Sequence, residues 1–243
     1  IKVLDMTTHQ VLQLTHRSKY FQPDISQDGT LIVAIQFTPD QQQELHVLDA
    51  ATGALLHRVP QPAEHLIQTY PKFYDRDHVV SCVRNAQGLM TLAMVNLQTG
   101  IADNLLQWSY EVKGMPVVKG DTVYFSESSG YQDDIFAVDI KTKTLFKLTD
   151  EPLGAYQPAV DNAGRLVWSS FTAMGLQLKE KRLKAKDWLP FMQLSAINAP
   201  DLYLPAALQQ TGGNVLDSIP YGQYPVSTYS KLWSPFNFHS WRP

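Results

Sequence analysis

Seven histidines and one cysteine are the side chains of this 243-residue sequence best suited to metal ligation or nucleophilic chemistry. The histidines stand at positions 9, 16, 46, 57, 65, 78 and 239, without the close, regular spacing that zinc ligands share. His239, beside Trp241, reads as a packing or hydrogen-bonding residue. A lone cysteine excludes an intrachain disulfide and a thiolate metal cluster. Cys82 lies in Val79-Val80-Ser81-Cys82-Val83, where it reads as a small buried hydrophobe. Gly-x-Ser-x-Gly, His-Glu-x-x-His, Gly-x-x-x-x-Gly-Lys-Ser/Thr and Gly-x-Gly-x-x-Gly are all missing from the sequence. No catalytic residue, metal ligand or cofactor is therefore assigned. The adjacent acids Asp133-Asp134 offer oxygen ligands of the kind calcium takes, but their place in a polar turn reads as a solvated hairpin tip. Asp49 and Asp139 read as turn residues that accept hydrogen bonds from their own backbone.

The residues best suited to binding are aromatic. Tyr20, Tyr70 and Tyr156 each stand one to three residues before a proline that recurs along the chain. Tyrosine offers a large contact area at small entropic cost, so these three are the candidate binding ring. The plainer reading packs them between neighbouring units. A second candidate is the run Lys179, Lys181, Arg182, Lys184 and Lys186, the one strong local charge bias, which reads as a solvated strand face or a contact for acidic groups.

These side chains are positioned by a repeat. Four segments open on an X-Pro step, at Gln22-Pro23, Tyr70-Pro71, Met115-Pro116 and Gln157-Pro158, with spacings of 48, 45 and 42 residues. In the first, the step leads into the turn Ser26-Gln27-Asp28-Gly29-Thr30 and the apolar strand Leu31-Ile32-Val33-Ala34-Ile35. Each unit closes on a strand, a polar residue, a short turn and another strand. The aligned polar positions are Asp5, Asn96, Asp49 and Asp139. A period of about 40–50 residues with four short strands per unit is that of a β-propeller blade. The expected fold is all-β: about four full blades plus a partial one, followed by an extended Pro- and aromatic-rich segment. The propeller spans 1–186, with a partial blade at 1–16 and blades at about 20–59, 68–107, 110–150 and 154–185. The last unit lacks the Asp-x-x-x-Gly turn, so its outer strands are expected to deviate. An extended linker spans 187–243.

The unit with Pro23-Asp24-Ile25-Ser26-Gln27-Asp28-Gly29 and Asp49-Ala50-Ala51-Thr52-Gly53 resembles the repeat of TolB-type β-propellers, which reads Pro-x-x-Ser-x-Asp-Gly and later Asp-x-x-x-Gly. The likeness covers about residues 1–185. The string from Tyr229 to Pro243 resembles the junction in large Bacteroidetes proteins where such a propeller precedes an outer-membrane β-barrel of the surface-antigen type. This resemblance implies a periplasmic propeller at the outer membrane, with other envelope proteins or its own barrel as partners.

Composition bounds the alternatives. The sequence is 44% hydrophobic, too apolar for a disordered chain. A net charge of −3 gives no positive field to hold a polyanion, so nucleic acid is not expected as a partner. No apolar run reaches the roughly 18 residues of a membrane helix. The start, Ile1-Lys2-Val3-Leu4-Asp5, has neither an initiator Met nor a signal-peptide pattern, so the sequence reads as a piece of a longer protein. The expected role is a non-enzymatic interaction scaffold in envelope assembly, secretion or transport. The alternative is an accessory or gating propeller of a peptidase whose catalytic domain lies elsewhere.

Overall fold

A computed structural model describes residues 1–38, 42–61, 66–129 and 132–191. The junction string 229–243, most of the expected linker and His65 and His239 lie outside the described residues.

The described chain is built from antiparallel sheets that follow one another in sequence. A two-stranded sheet comes first, β1 (Lys2–Leu4) with β2 (Val11–Gln13). Blade A contains β3 (Tyr20–Ile25), β4 (Leu31–Phe37), β5 (Gln43–Asp49) and β6 (Leu55–Arg58). Blade B contains β7 (Ile67–Phe73), β8 (His78–Arg84), β9 (Met90–Asn96) and β10 (Ala102–Asn104). Blade C contains β11 (Lys113–Lys119), β12 (Thr122–Ser129), β13 (Gln132–Asp139) and β14 (Leu145–Lys147). Blade D contains β15 (Ala155–Val160), β16 (Arg165–Thr172) and β17 (Gly175–Arg182). The first strands of successive blades touch, β3 on β7, β7 on β11 and β11 on β15. This is the layout of a β-propeller.

Blades B and C each pack their two faces against two neighbouring blades, so alternate residues of one strand enter different cores. Val33, Ile35, Leu45 and Val47 of blade A meet Val79 and Val95 of blade B. Val80, Cys82 and Leu92 of blade B meet Phe125, Phe136 and Val138 of blade C. Tyr124, Ile135 and Ala137 of blade C meet Leu166 and Trp168 of blade D. This double burial explains why the middle strands read as nearly continuous apolar runs.

Every X-Pro step is a bulge. Register shifts between Phe21 and Asp24, Thr69 and Lys72, Gly114 and Val117, and Tyr156 and Ala159. The residue before proline is left-handed in all four, with φ of 50° at Gln22, 54° at Tyr70, 53° at Met115 and 55° at Gln157. Proline has no N–H to give to a ladder, and at a bulge on an edge strand none is required. The interval of the prolines is therefore the interval of a backbone kink.

A second device ends the third strand. Asp49 Oδ1 accepts from the backbone N of Ala51 (3.1 Å) and Thr52 (2.8 Å) and from Thr52 Oγ1 (2.7 Å). Asn96 does the same with Gln98 and Thr99, and Asp139 with Lys141 and Thr142. The fifth residue of each turn is left-handed (Gly53, Gly100 and Lys143) and its N–H returns to the first residue's carbonyl at 2.8 Å. Asp5 builds the same turn, with Thr7 N, Thr8 N and left-handed His9.

The sequence reading gives the unit at 154–185 four strands; among the described residues it has three. Register supplies the reason. Asp49, Asn96 and Asp139 oppose Leu31, His78 and Thr122, and the residue opposite the equivalent Arg165 is Arg182. Arginine has no side-chain acceptor for the turn. The chain instead passes through a 3₁₀ turn, Ala185–Asp187, to the outer edge of blade C. There Pro190 bridges Phe146, and Phe191 N donates to Leu145 O at 2.7 Å. Trp188 stands edge-on to Phe146 and Phe191 edge-on to Phe136, so the start of the expected linker is packed.

Candidate functional site

Asp24, Lys72 and Val117 each follow a bulge proline by one residue, which sets their side chains at the same height on β3, β7 and β11. Beyond them the three strands end in turns that frame an open cavity of about 880 Å³. Its lining includes Asp24, Asp28, Lys72, Tyr74, Arg76 and Lys119. The charges here join one blade to the next. Asp24 accepts from Lys72 Nζ and from Phe73 N, both at 2.9 Å. Arg76 reaches Asp28 at 3.3 Å, and Tyr74 donates to Asp121 at 2.7 Å. Deeper, Tyr70 N donates to Gln22 Oε1 at 2.8 Å, linking two bulges.

The Ser-x-Asp-Gly turn at this mouth is a closed hydrogen-bond unit. Asp28 Oδ1 accepts from Ser26 Oγ (2.6 Å), Thr30 N (3.0 Å) and Thr30 Oγ1 (2.8 Å), and Leu31 N donates to Ser26 Oγ. These donors, Ser26 first, hold the Asp28 carboxyl down at about 2. Asp28 therefore presents a fixed negative charge beside Arg76 at the rim.

The opposite ends of the same strands hold buried polar groups. Tyr20 OH donates to His46 Nδ1 at 2.8 Å, and His46 Nε2 donates to Glu44 Oε2 at 2.7 Å, so Glu44 fixes the tautomer. Burial raises the Tyr20 phenol. Lys113 and Glu127 are almost fully enclosed, with Nζ 3.5 Å from Oε2. Lys113 Nζ also donates to Ser109 Oγ at 2.8 Å and Glu111 O at 3.2 Å. Burial pushes the Glu127 carboxyl up to about 7 against the pull of Lys113. It likewise pushes the Cys82 thiol up to about 12, which keeps it protonated and unreactive.

The three tyrosines occupy different positions relative to the bulge and take different partners. Tyr20 serves blade A's own His46. Tyr70 is itself the left-handed bulge residue. Tyr156 crosses to blade C and donates to Asp133 at 2.5 Å, which pushes its phenol up to about 12. Among the described residues no hydrogen bond or ring contact joins two of them, and none lines the 880 Å³ cavity.

The other sequence candidates have local work. Asp134 is fully buried and accepts from Thr149 Oγ1 (2.7 Å) and Glu151 N (2.9 Å), with Lys147 at 2.9 Å. Asp133 receives Tyr156 and Ser128. Asp49 and Asp139 are the turn acceptors described above. Of the basic run, Lys179 pairs with Glu151 at 2.7 Å and Lys181 with Asp187 at 2.6 Å. Sequence reasoning missed Gln22, Asp24 and Lys72. Their signal is the 48-residue interval, which aligns Gln22 with Tyr70 and Asp24 with Lys72.

No family model matches the chain, and no curated protein matches it. Among solved structures, TolB from Acinetobacter baumannii superposes with a TM-score of 0.62 at 16% identity, over 74% of this chain and 45% of that one. The fold is a TolB-like β-propeller. A TolB-type protein from Agrobacterium tumefaciens gives 0.57 at 15% identity, over 70% of this chain and 64% of that one. A puromycin-hydrolyzing peptidase from Mycobacterium tuberculosis gives 0.58 at 14% identity, over 72% and 29%. The TolB-like propeller here thus spans about half to two thirds of these TolB structures, and less than a third of the peptidase.

Proposed function

We propose that this TolB-like propeller is a non-enzymatic protein-interaction module at the periplasmic face of the bacterial outer membrane. Its partners are other envelope proteins or its own barrel, and its role is scaffolding in envelope assembly, secretion or transport. One observation carries this reading. Three successive blades bring Asp24, Asp28, Lys72, Arg76 and Lys119 to one mouth, on turns braced by inter-blade hydrogen bonds. A rigid rim of fixed, alternating charge suits recognition of a protein segment by electrostatic complementarity. The first strands that carry Tyr20 (β3), Tyr70 (β7) and Tyr156 (β15) offer the second contact surface of this reading. The likeness to a puromycin-hydrolyzing peptidase supports the alternative, an accessory propeller of a hydrolase.

The test is site-specific photo-crosslinking in intact cells, with the photoreactive residue at Gln27 or Lys119, combined with membrane fractionation. One discrete adduct with an envelope protein, lost when Lys72→Glu and Arg76→Glu are combined, supports the reading. A cytoplasmic protein without adducts overturns it. Hydrolase peptides covalently continuous with the chain would favour the accessory role.

A further inference from the structure

In blades A to C the fourth strand covers the outer edge of the third. Val59 N donates to Leu45 O, Leu105 N to Leu92 O and Leu148 N to Ile135 O, at 2.8–2.9 Å. At the same register, the N–H groups of Asp49, Asn96 and Asp139 donate to Ala54, Ile101 and Thr144. Four residues separate the two positions in every blade. In blade D they are Leu178 and Arg182. Neither Leu178 O nor Arg182 N has such a partner, so among the described residues the outer edge of the eight-residue β17 is bare.

The side chains along this edge select what fits. Leu176 and Leu178 are 63% and 78% exposed and oppose Phe171 and Ser169 on a face of blade D that no other blade covers among the described residues. Lys179 and Lys181 replace the residues that blades A to C bury there, His46 and Leu48, Ala93 and Val95, Phe136 and Val138. Just beyond, Arg182, Lys184 and Lys186 form no ion pair among the described residues. These three cations repel a basic strand, and covering them with a neutral one costs desolvation without a compensating charge, which leaves an acidic strand as the complement. Edge addition already occurs next door, where the segment through Pro190 and Phe191 joins the outer edge of blade C.

We propose that β17 is a docking edge for an extended acidic segment of another protein, which adds as the missing fourth strand of blade D. The segment runs antiparallel to β17, as β6, β10 and β14 run to their neighbours. Its first residues are acidic and face Arg182, Lys184 and Lys186. Apolar or β-branched residues follow, beside Leu178 and Leu176. This surface lies on blade D and is independent of the mouth formed by blades A to C.

The test uses the full chain and a labelled peptide, Glu-Asp-Glu-Val-Thr-Val-Tyr, with Lys-Lys-Lys-Val-Thr-Val-Tyr as control. Fluorescence anisotropy is expected to show binding of the acidic peptide alone, weakening at least tenfold from low to high salt. NMR amide exchange is expected to show Leu178, Glu180 and Arg182 unprotected in the free chain and protected on binding. Leu178→Pro removes one edge N–H and leaves the β16–β17 ladder intact, because residue 178 points its amide outward. This variant is expected to stay folded and lose binding. Lys184→Glu with Lys186→Glu is expected to cost at least tenfold in affinity. Protection of those amides in the free chain would mean that the chain covers its own edge, and would overturn the proposal. Equal binding of both peptides, undiminished binding by the folded Leu178→Pro variant, or no binding would do the same.

Discussion

Blades A to C and blade D start alike and finish differently. All four enter through a left-handed residue, a proline and a bulge, and all four pair a first strand with a second and a third. They part at one register position. Where Asp49, Asn96 and Asp139 catch two backbone N–H groups and a threonine hydroxyl, blade D has Arg182, with Ala185 in place of the threonine. The backbone reverses in three blades and departs in the fourth. A propeller strand thus depends on the acceptor that folds it back as much as on its own apolar residues.

The strongest way to break this comparison is to crowd a turn. Gly100 is left-handed, and a Cβ there would stand 1.8 Å from Pro60 O of blade A. Gly175 in blade D is also left-handed, but nothing lies within 4 Å of its Cβ position. Gly100→Ala is expected to lose roughly 3–5 kcal/mol from overpacking and backbone strain, against about 1–2 kcal/mol for Gly175→Ala from strain alone. Urea denaturation measures both, and equal losses would contradict the asymmetry.

Next in size is a pH effect that blade C has and blade D lacks. Lys113 and Glu127 are buried at the start of blade C, and their register equivalents in blade D are Ala155 and Ser170. The folded Glu127 carboxyl, at about 7, sits above its ordinary 4.5. Folding therefore favours the protonated form, so its contribution is full below about pH 4.5 and is lost as pH rises through 7. On the order of 2–3 kcal/mol is expected to disappear over that window. Glu127→Gln removes the slope whether or not it lowers stability overall, and denaturation at several pH values reads the slope directly.

A smaller effect separates the turns themselves. Asp139→Ala is expected to cost about 1 kcal/mol by orphaning the turn N–H groups, whereas Arg182→Ala should stay within about 0.5 kcal/mol. Finest of all, Arg182→Asp combined with Ala185→Thr and Lys186→Gly rebuilds the missing turn chemistry. Amide exchange is expected to slow at position 182 in this triple variant and to stay as fast as in the parent in Arg182→Asp alone.

Much of this was readable from the sequence because a repeat reports local rules many times over. Four prolines at similar intervals mark four bulges, and Asp28 announces its own turn. The expectation that 154–185 departs from the pattern follows from the missing Asp-x-x-x-Gly turn. That the unit holds three strands, and that Trp188 and Phe191 turn back onto blade C, does not follow, because those partners lie over 40 residues away in sequence. The tyrosines illustrate the same limit. Their shared nearness to proline conceals three different bulge positions, and a one-residue offset on a strand changes the side chain's face.

The sequence by itself determined the strands, the bulges and the turns, since each depends on a few adjacent residues: proline without an N–H, glycine at positive φ, aspartate within reach of the next amides. Tertiary structure alone decided which blade received Asp24's carboxylate, that Lys113 and Glu127 are buried together, and that among the described residues the outer edge of β17 is bare. Those outcomes depend on which surfaces meet when blades stack, and stacking brings together residues that no local interval connects.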